Sequence, residues 1–317
     1  MYSREDLGDR RCDLLFKGER LSMLEAALIV SRFLHYTATL TLFGVLLFPL
    51  YTYTDLTVAP RLRRATTCLT ALALLSALFW FASVTFNMAG KLDGSAVWSV
   101  LNETSFGKVW IARFILVTII LVLVVLKREA ASARWLLCAL CAGLLVSLSG
   151  VGHTQTDNGI ALIIHMSADG LHLLAAGAWL GGLVSLLSLV ARAVRTPSPD
   201  CDAEASHAAL RFSGMGYIAV ATLIGSGLIN SWFLVGSFAN LRTAYGQLLI
   251  VKLVLFTAML GLAGLNRFLI VPRLKKASLQ QAPGLMRLRR HILGEQTLGL
   301  IIILIVSALG TMQPAVN

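Results

Sequence analysis

Apolar residues run along this chain in long stretches separated by short polar breaks. A helix needs about 20 such residues to cross the hydrocarbon of a bilayer. The pattern predicts eight spans, at 24–50, 66–88, 108–126, 134–151, 160–191, 211–234, 247–271 and 292–312. The breaks include "APRLRR", "LKREAASAR", "RTPSPDCDAEASH" and "RLKKASLQQAPGLMRLRR", and Pro or Gly punctuates most of them. No stretch between them suits a soluble domain. The first span is too long, and too poorly followed by small residues, to read as a removable signal peptide. The expected architecture is an all-α integral membrane protein of eight transmembrane helices, with a tail at 1–23 and a helical domain at 24–317. Composition agrees: 14% of residues are charged, where soluble domains carry about 25%.

Charge then orients the spans. Short loops rich in Lys and Arg stay in the cytoplasm. The loops after spans 1, 3, 5 and 7 hold fifteen such residues, and those after spans 2, 4 and 6 hold three. Both termini are therefore expected on the periplasmic side of a bacterial inner membrane. The N-terminal tail resists this with five basic residues, Arg4, Arg10, Arg11, Lys17 and Arg20, which five acids balance. The net charge of +11 is explained by cytoplasmic loops facing anionic lipid. Nucleic acid is not an expected partner, because no folded domain gathers the basic residues on one face. No phosphate-binding glycine loop, hydrolytic triad or C-x-x-C-H haem attachment is present. Neither nucleotide-driven pumping nor enzymatic chemistry is expected.

The fifth span breaks the apolar pattern. In "HMSADGLHLLAAGAWLGG" (165–182), His165, Asp169 and His172 fall at i, i+4 and i+7, on one helix face. An ionisable group at mid-membrane costs about 2.5–3.5 kcal/mol on insertion scales, and such groups usually line a pathway or site. His35 lies in span 1 and His153 in the outer loop "GVGHTQTDNG"; Met88 and Met312 end spans 2 and 8 on the same side. His207 and His291 read as solvated loop residues. Asp169 needs a cation, and Arg32, Arg113 and Lys252 are within reach in depth; Lys252 is the partner expected, since it begins span 7. Imidazole with thioether favours Cu(I) over Cu(II). His165 and His172 are about 10 Å apart in rise, so one ion cannot be held by both, and the spacing suggests successive sites. Cys138 and Cys141 form a C-x-x-C on one face of span 4, either as thiolate ligands or as small apolar packing residues. Gly177 and Gly181 make a G-x-x-x-G that admits a close neighbour. Gly225, Gly227, Gly261 and Gly264 read as packing positions too. Trp179 shares the histidine face two turns deeper, where it either closes the polar path or simply packs.

These residues also carry a resemblance. The chain resembles the copper resistance protein D family (CopD/PcoD), most clearly over 165–274. The likeness lies in His165, Asp169, His172, Trp179, Gly181, Gly182 and Leu183; in "RFS" at 211–213; in "GLINSW" at 227–232; in "YGQLLIVK" at 245–252; and in Asn266–Arg267. It implies an eight-helix inner-membrane protein that handles copper at its periplasmic face, with a periplasmic copper-binding protein as donor. The expected function is copper movement from periplasm to cytoplasm along a path of His165, His172, His153, His35, Met88 and Met312. One alternative is a b-type haem electron-transfer protein, with His35 and His165 or His172 as axial ligands. The other is a copper-delivery factor that does not transport. The orientation has a direct check: a reporter fused after Asn317 should behave as periplasmic and one inserted at Ser278 as cytoplasmic. The opposite pattern, in a fusion assay, would reverse the topology.

Overall fold

The computed structural model describes residues 4–52, 60–126, 131–152, 158–276 and 282–315. Their regular structure is helical throughout. The helices are α1 (Arg4–Thr52), α2 (Pro60–Ala89), α3 (Gly94–Glu103), α4 (Ser105–Val125), α5 (Ala131–Val146), α6 (Gly159–Arg195), α7 (Pro199–Val235), α8 (Ala244–Leu265), α9 (Val271–Lys276) and α10 (Ala282–Leu309). Seven of the described helices are long and apolar enough to cross a membrane, lying in α1, α2, α4, α6, α7, α8 and α10. The fourth expected span is a shorter apolar helix, Arg134–Gly150, whose end tightens into a 3₁₀ turn at Ser147–Gly150.

Three boundaries differ from the hydropathy pattern, each for a local chemical reason. The break expected between spans 5 and 6 shrinks to Thr196–Ser198, because α6 runs on to Arg195 and α7 starts at Pro199. Ser198 caps α7 by accepting from the Cys201 amide, and proline suits a first helical turn, where no amide donor is needed. Arg192 and Glu204 pair across this hairpin. His207 thus stands on a helix, though exposed. The second difference is α3, an added amphipathic helix. Asp93 caps its start, and Thr104 ends it while capping α4 through the Gly107 amide. The third is a wide π turn at Asn266–Ile270, between α8 and α9.

The buried apolar residues form two main clusters. One joins α1 to α2–α5 around Trp80, Trp110, Ile120 and Leu145. The other joins α6, α7, α9 and α10 around Trp179, Leu183, Phe212 and Ile292. Cys138 and Cys141 are buried in the first, among Leu137, Leu144 and Leu145, which is the packing alternative of the two readings. The seam between the halves is α1 against α6. There the backbones touch: a Cβ on Gly181 would stand 2.6 Å from the Thr41 carbonyl and 2.7 Å from the Gly44 Cα, and one on Gly44 would overlap the Gly177 carbonyl. The expected G-x-x-x-G contact is therefore present, with Gly44 as its partner. The other glycines divide. Gly227 faces the His172 ring at 3.5 Å, whereas Gly225, Gly261 and Gly264 have nothing within 4 Å. The packing role expected for Gly225 and Gly261 is corrected, since both are exposed within this chain, whereas Gly264 is half-buried and lines a cavity beside α6, α7 and α10.

This contrast can be measured. Gly181→Leu should separate α1 from α6 and lower the detergent-solubilised thermal midpoint, since forced overpacking costs about 1–3 kcal/mol or more. Gly261→Ala should leave the midpoint unchanged or slightly raised, because alanine is about 1 kcal/mol the better helix former.

Candidate functional site

The stripe on α6 faces a cavity. His165, Asp169 and His172 line a space of about 210 Å³ together with Arg32 and Tyr36 of α1, Trp80 of α2, Asn230 of α7, Tyr245 and Lys252 of α8, and Gly310 past α10. Five helices thus converge on three residues whose common face was set by helical spacing alone. The chain beyond α10 folds back over this end, where the Ala315 amide donates to the Leu234 carbonyl at 3.1 Å.

The two histidines are held differently. The His165 ring is buried and stacks on Phe233, centroids 4.6 Å apart and planes within 9°. His172 Nδ1 lies 2.9 Å from Ser226 Oγ. The serine hydroxyl donates its own hydrogen to the Thr222 carbonyl at 2.5 Å, so its oxygen accepts and His172 is protonated on Nδ1. That leaves the lone pair on Nε2. A donor bond from one ring nitrogen is how proteins orient an imidazole for a metal on the other.

His35 shows the opposite arrangement. Its Nδ1 stands 3.1 Å from the Ala73 carbonyl and 3.1 Å from Ser76 Oγ. A carbonyl only accepts, so Nδ1 carries the proton. The Nε2 lone pair then accepts from the Arg113 guanidinium. Trp80 and Trp110 enclose the ring at 5.7 and 6.0 Å between centroids. Arg113 also donates to the Leu144 carbonyl at 2.8 Å and to Ser147. As folded, His35 holds α1, α2, α4 and α5 together, and coordination of copper or haem iron by it would require Arg113 to withdraw.

Asp169 accepts from Asn230 Nδ2 at 3.3 Å and is within electrostatic reach of Lys252 and His165. Arg32, one of the other cations considered for it, lies over the Trp80 ring at 5.1 Å. The thioethers stand apart from the cavity wall. Met88 is 56% exposed at the end of α2, and Met312 packs beside Val235, Tyr245 and Leu309 at the cavity's end. His153 lies outside the described residues. Among the described residues no group of three or more His, Cys, Asp or Glu side chains is gathered as for a resident metal.

A second polar cluster was not expected from the sequence. Trp179 Nε1 donates to Glu295 Oε2 at 3.1 Å, and Asn266 Nδ2 donates to Glu295 Oε1 at 2.7 Å. Asn266 Oδ1 stands 2.8 Å from His291 Nδ1. His291 is therefore a half-buried helical residue of α10, which corrects its reading as a solvated loop position. Arg267 bonds the Tyr217 hydroxyl at 3.2 Å and lies over its ring. Trp179 forms a shared wall: it bounds an apolar cavity of about 490 Å³ that also reaches His172 and Lys252, and a cavity of about 190 Å³ that contains Glu295.

A polytopic helical membrane protein with a histidine-lined cavity at one end is the class these features define. The chain belongs to the copper resistance protein D family. Residues 23–164 match the copper resistance protein D-like N-terminal domain, and residues 206–309 match copper resistance protein D. Copper resistance protein D of Pseudomonas syringae pv. tomato is 30% identical over 303 residues, covering 90% of this chain and 96% of the relative. Inner membrane protein YebZ of Escherichia coli is 28% identical over 307 residues, covering 92% of this chain and all of the relative. Copper transport protein CutJ of Bacillus subtilis is 30% identical over 307 residues, 93% of this chain and 54% of that longer protein. No solved structure matches. The first family segment covers the membrane-spanning part of α1 through α5 and the second most of α7 through α10, while most of α6 lies between them.

The cavity's charge balance can be tested directly. Asp169→Asn should lower the folded yield in membranes, because a buried charge that loses its partner costs about 3–5 kcal/mol. Asp169→Asn with Lys252→Met should recover part of that yield. A double variant worse than the sum of the singles would remove the pairing of these charges.

Proposed function

We propose that this chain moves copper from the periplasm to the cytoplasm across the bacterial inner membrane, with the α6 cavity as the outer binding chamber. The observation that carries this reading is His172: its Nδ1–H is fixed by Ser226, and its Nε2 lone pair is left for a ligand at the wall of a membrane-embedded cavity. His165 is the first ligand and His172 the deeper one, about 10 Å further in. His153, Met88 and Met312 supply the approach, and His35 supports the chamber through Arg113. Copper is the cargo, carried as Cu(I), which imidazole and thioether both suit. The names of the relatives, copper resistance protein D and copper transport protein CutJ, support copper as the substrate class. The inner-membrane description of YebZ supports the location.

The topology that goes with this has eight crossings and periplasmic termini. Helix α5 and its 3₁₀ turn cover Ala131–Gly150, about 32 Å at 1.5 and 2.0 Å per residue, against a hydrocarbon core of about 30 Å. A periplasmic copper-binding protein is the donor, delivering at the Gly159 end of the bundle. A cation must enter a chamber that already holds two others. Arg32 is drawn onto the Trp80 face and Lys252 is within electrostatic reach of Asp169, so the His172 Nε2 remains for the incoming ion.

In proteoliposomes, His172→Ala should abolish copper uptake while the protein still inserts, and His207→Ala should change nothing. Ser226→Ala should weaken copper binding by about 10–100-fold, the usual loss when the group orienting a histidine ligand is removed. Undiminished uptake in a His165→Ala, His172→Ala double variant would refute the path.

A further inference from the structure

We propose that Glu295 is a proton-binding site in the inner half of the molecule, and that its charge sets whether the Trp179 wall between the cavities is closed. The second half rests on the copper path proposed above; the proton site stands independently of it.

The geometry begins with burial. Glu295 is 1% exposed, within a helix that is long and apolar enough to cross the membrane. A carboxylate there is costly unless it is paired. Among the described residues no cation pairs with it. The groups that face it can be named helix by helix. From α6 come Trp179, Leu183 and Leu186, and from α7 Phe212 and Tyr217. The π turn brings Asn266 and Arg267, and α10 itself brings His291. Arg267 is the one cation lining the cavity, and it is engaged with Tyr217. Glu295 is left with two N–H donors, from Trp179 and Asn266.

That donor set favours a proton over a metal ion. A metal would need several open ligands, and both carboxylate oxygens already accept N–H bonds. A proton needs one remaining lone pair. The route to it is short. Asn266 gives its amide N–H to Glu295, so its carbonyl oxygen accepts from His291 Nδ1–H, and His291 is half-buried toward the Arg287–Arg290 end of α10. The cavity of about 190 Å³ beside Glu295 has room for several waters. The step is a single proton transfer: the carboxylate takes one proton from water on this side and later returns it there, with no other bond changed.

The consequence falls on Trp179. A hydrogen bond to an ionised acceptor is roughly twice as strong as a neutral one. While Glu295 is ionised, Trp179 is tethered across the boundary between the outer and inner cavities. When Glu295 takes a proton, the tether weakens and the indole is released. The π turn has a purpose in this arrangement, since wide turns of this type concentrate at functional sites, and here it presents Asn266 to Glu295.

The test uses the full-length protein in lipid. Infrared difference spectra across a pH titration should show a protonated-carboxyl C=O band in the wild type that Glu295→Gln lacks. In copper-loaded proteoliposomes, the wild-type rate should respond to pH on the Glu295 side by up to about tenfold per unit, the limit for a single titrating group. Glu295→Gln and Trp179→Phe should both lose that response, while copper retained by the His172 chamber stays within about twofold in Glu295→Gln. Trp179→Phe removes the indole N–H while keeping an aromatic ring in the wall, and Glu295 stays intact, so it serves if Glu295→Gln fails to insert. An unchanged C=O band in Glu295→Gln, or a wild-type pH response in Trp179→Phe, would overturn the proposal. If the band titrates but no copper moves in the wild type, the transport reading fails and the proton site stands.

Discussion

Helices α1 and α6 touch backbone to backbone at Gly44, Gly177 and Gly181, and the rest of the molecule is arranged around that contact. Between apolar helices in lipid the hydrophobic effect supplies little attraction, so close packing of small residues must. Without side chains at these positions, α6 lies so close to α1 that a Cβ at Gly177 or Gly181 would press into it. Its glycine face is fixed toward Gly44, and its polar stripe is thereby turned toward α7 and α8. The stripe then finds partners from those helices: Ser226 for His172, Phe233 for His165, and Asn230 for Asp169.

The same constraint explains why the two halves differ in character. The α1–α5 half is closed around aromatic rings, and its buried His35–Arg113 pair is bonded internally to two carbonyls and two serines. Such a pair holds helices together and leaves no lone pair open. The α6–α10 half is looser and contains all three cavities in large part. Its polar groups keep spare capacity, as with the Nε2 of His172. The closed aromatic core thus sits in the first half and most of the open space in the second.

Much of this was legible in the residues. The long apolar runs, the G-x-x-x-G and the common face of His165, Asp169 and His172 depend on spacing within one helix, which the sequence states directly. What was not legible depends on distance in sequence. Glu295 falls inside the span expected at 292–312, but its partner Trp179 lies 116 positions away, and nothing in the local pattern names it. Gly261 reads as a packing glycine but is exposed, since which side of α8 is covered is decided by α10. Helix α3 and the start of α7 were hidden by polar composition, and only their caps, Asp93 and Ser198–Pro199, signal them. His35 shows the limit most plainly: a histidine in an apolar span reads as a ligand until its partner, Arg113, 78 positions away, is seen.

The central claim is that the polar stripe of α6 coordinates copper inside the membrane. X-ray absorption at the copper edge on Cu(I)-loaded protein tests it most directly, because imidazole ligands give characteristic multiple scattering. The account predicts imidazole nitrogen in the wild-type copper shell, diminished in His172→Ala and absent in the His165→Ala, His172→Ala double variant. A copper shell unchanged in that double variant, or one made of sulfur alone, would contradict it.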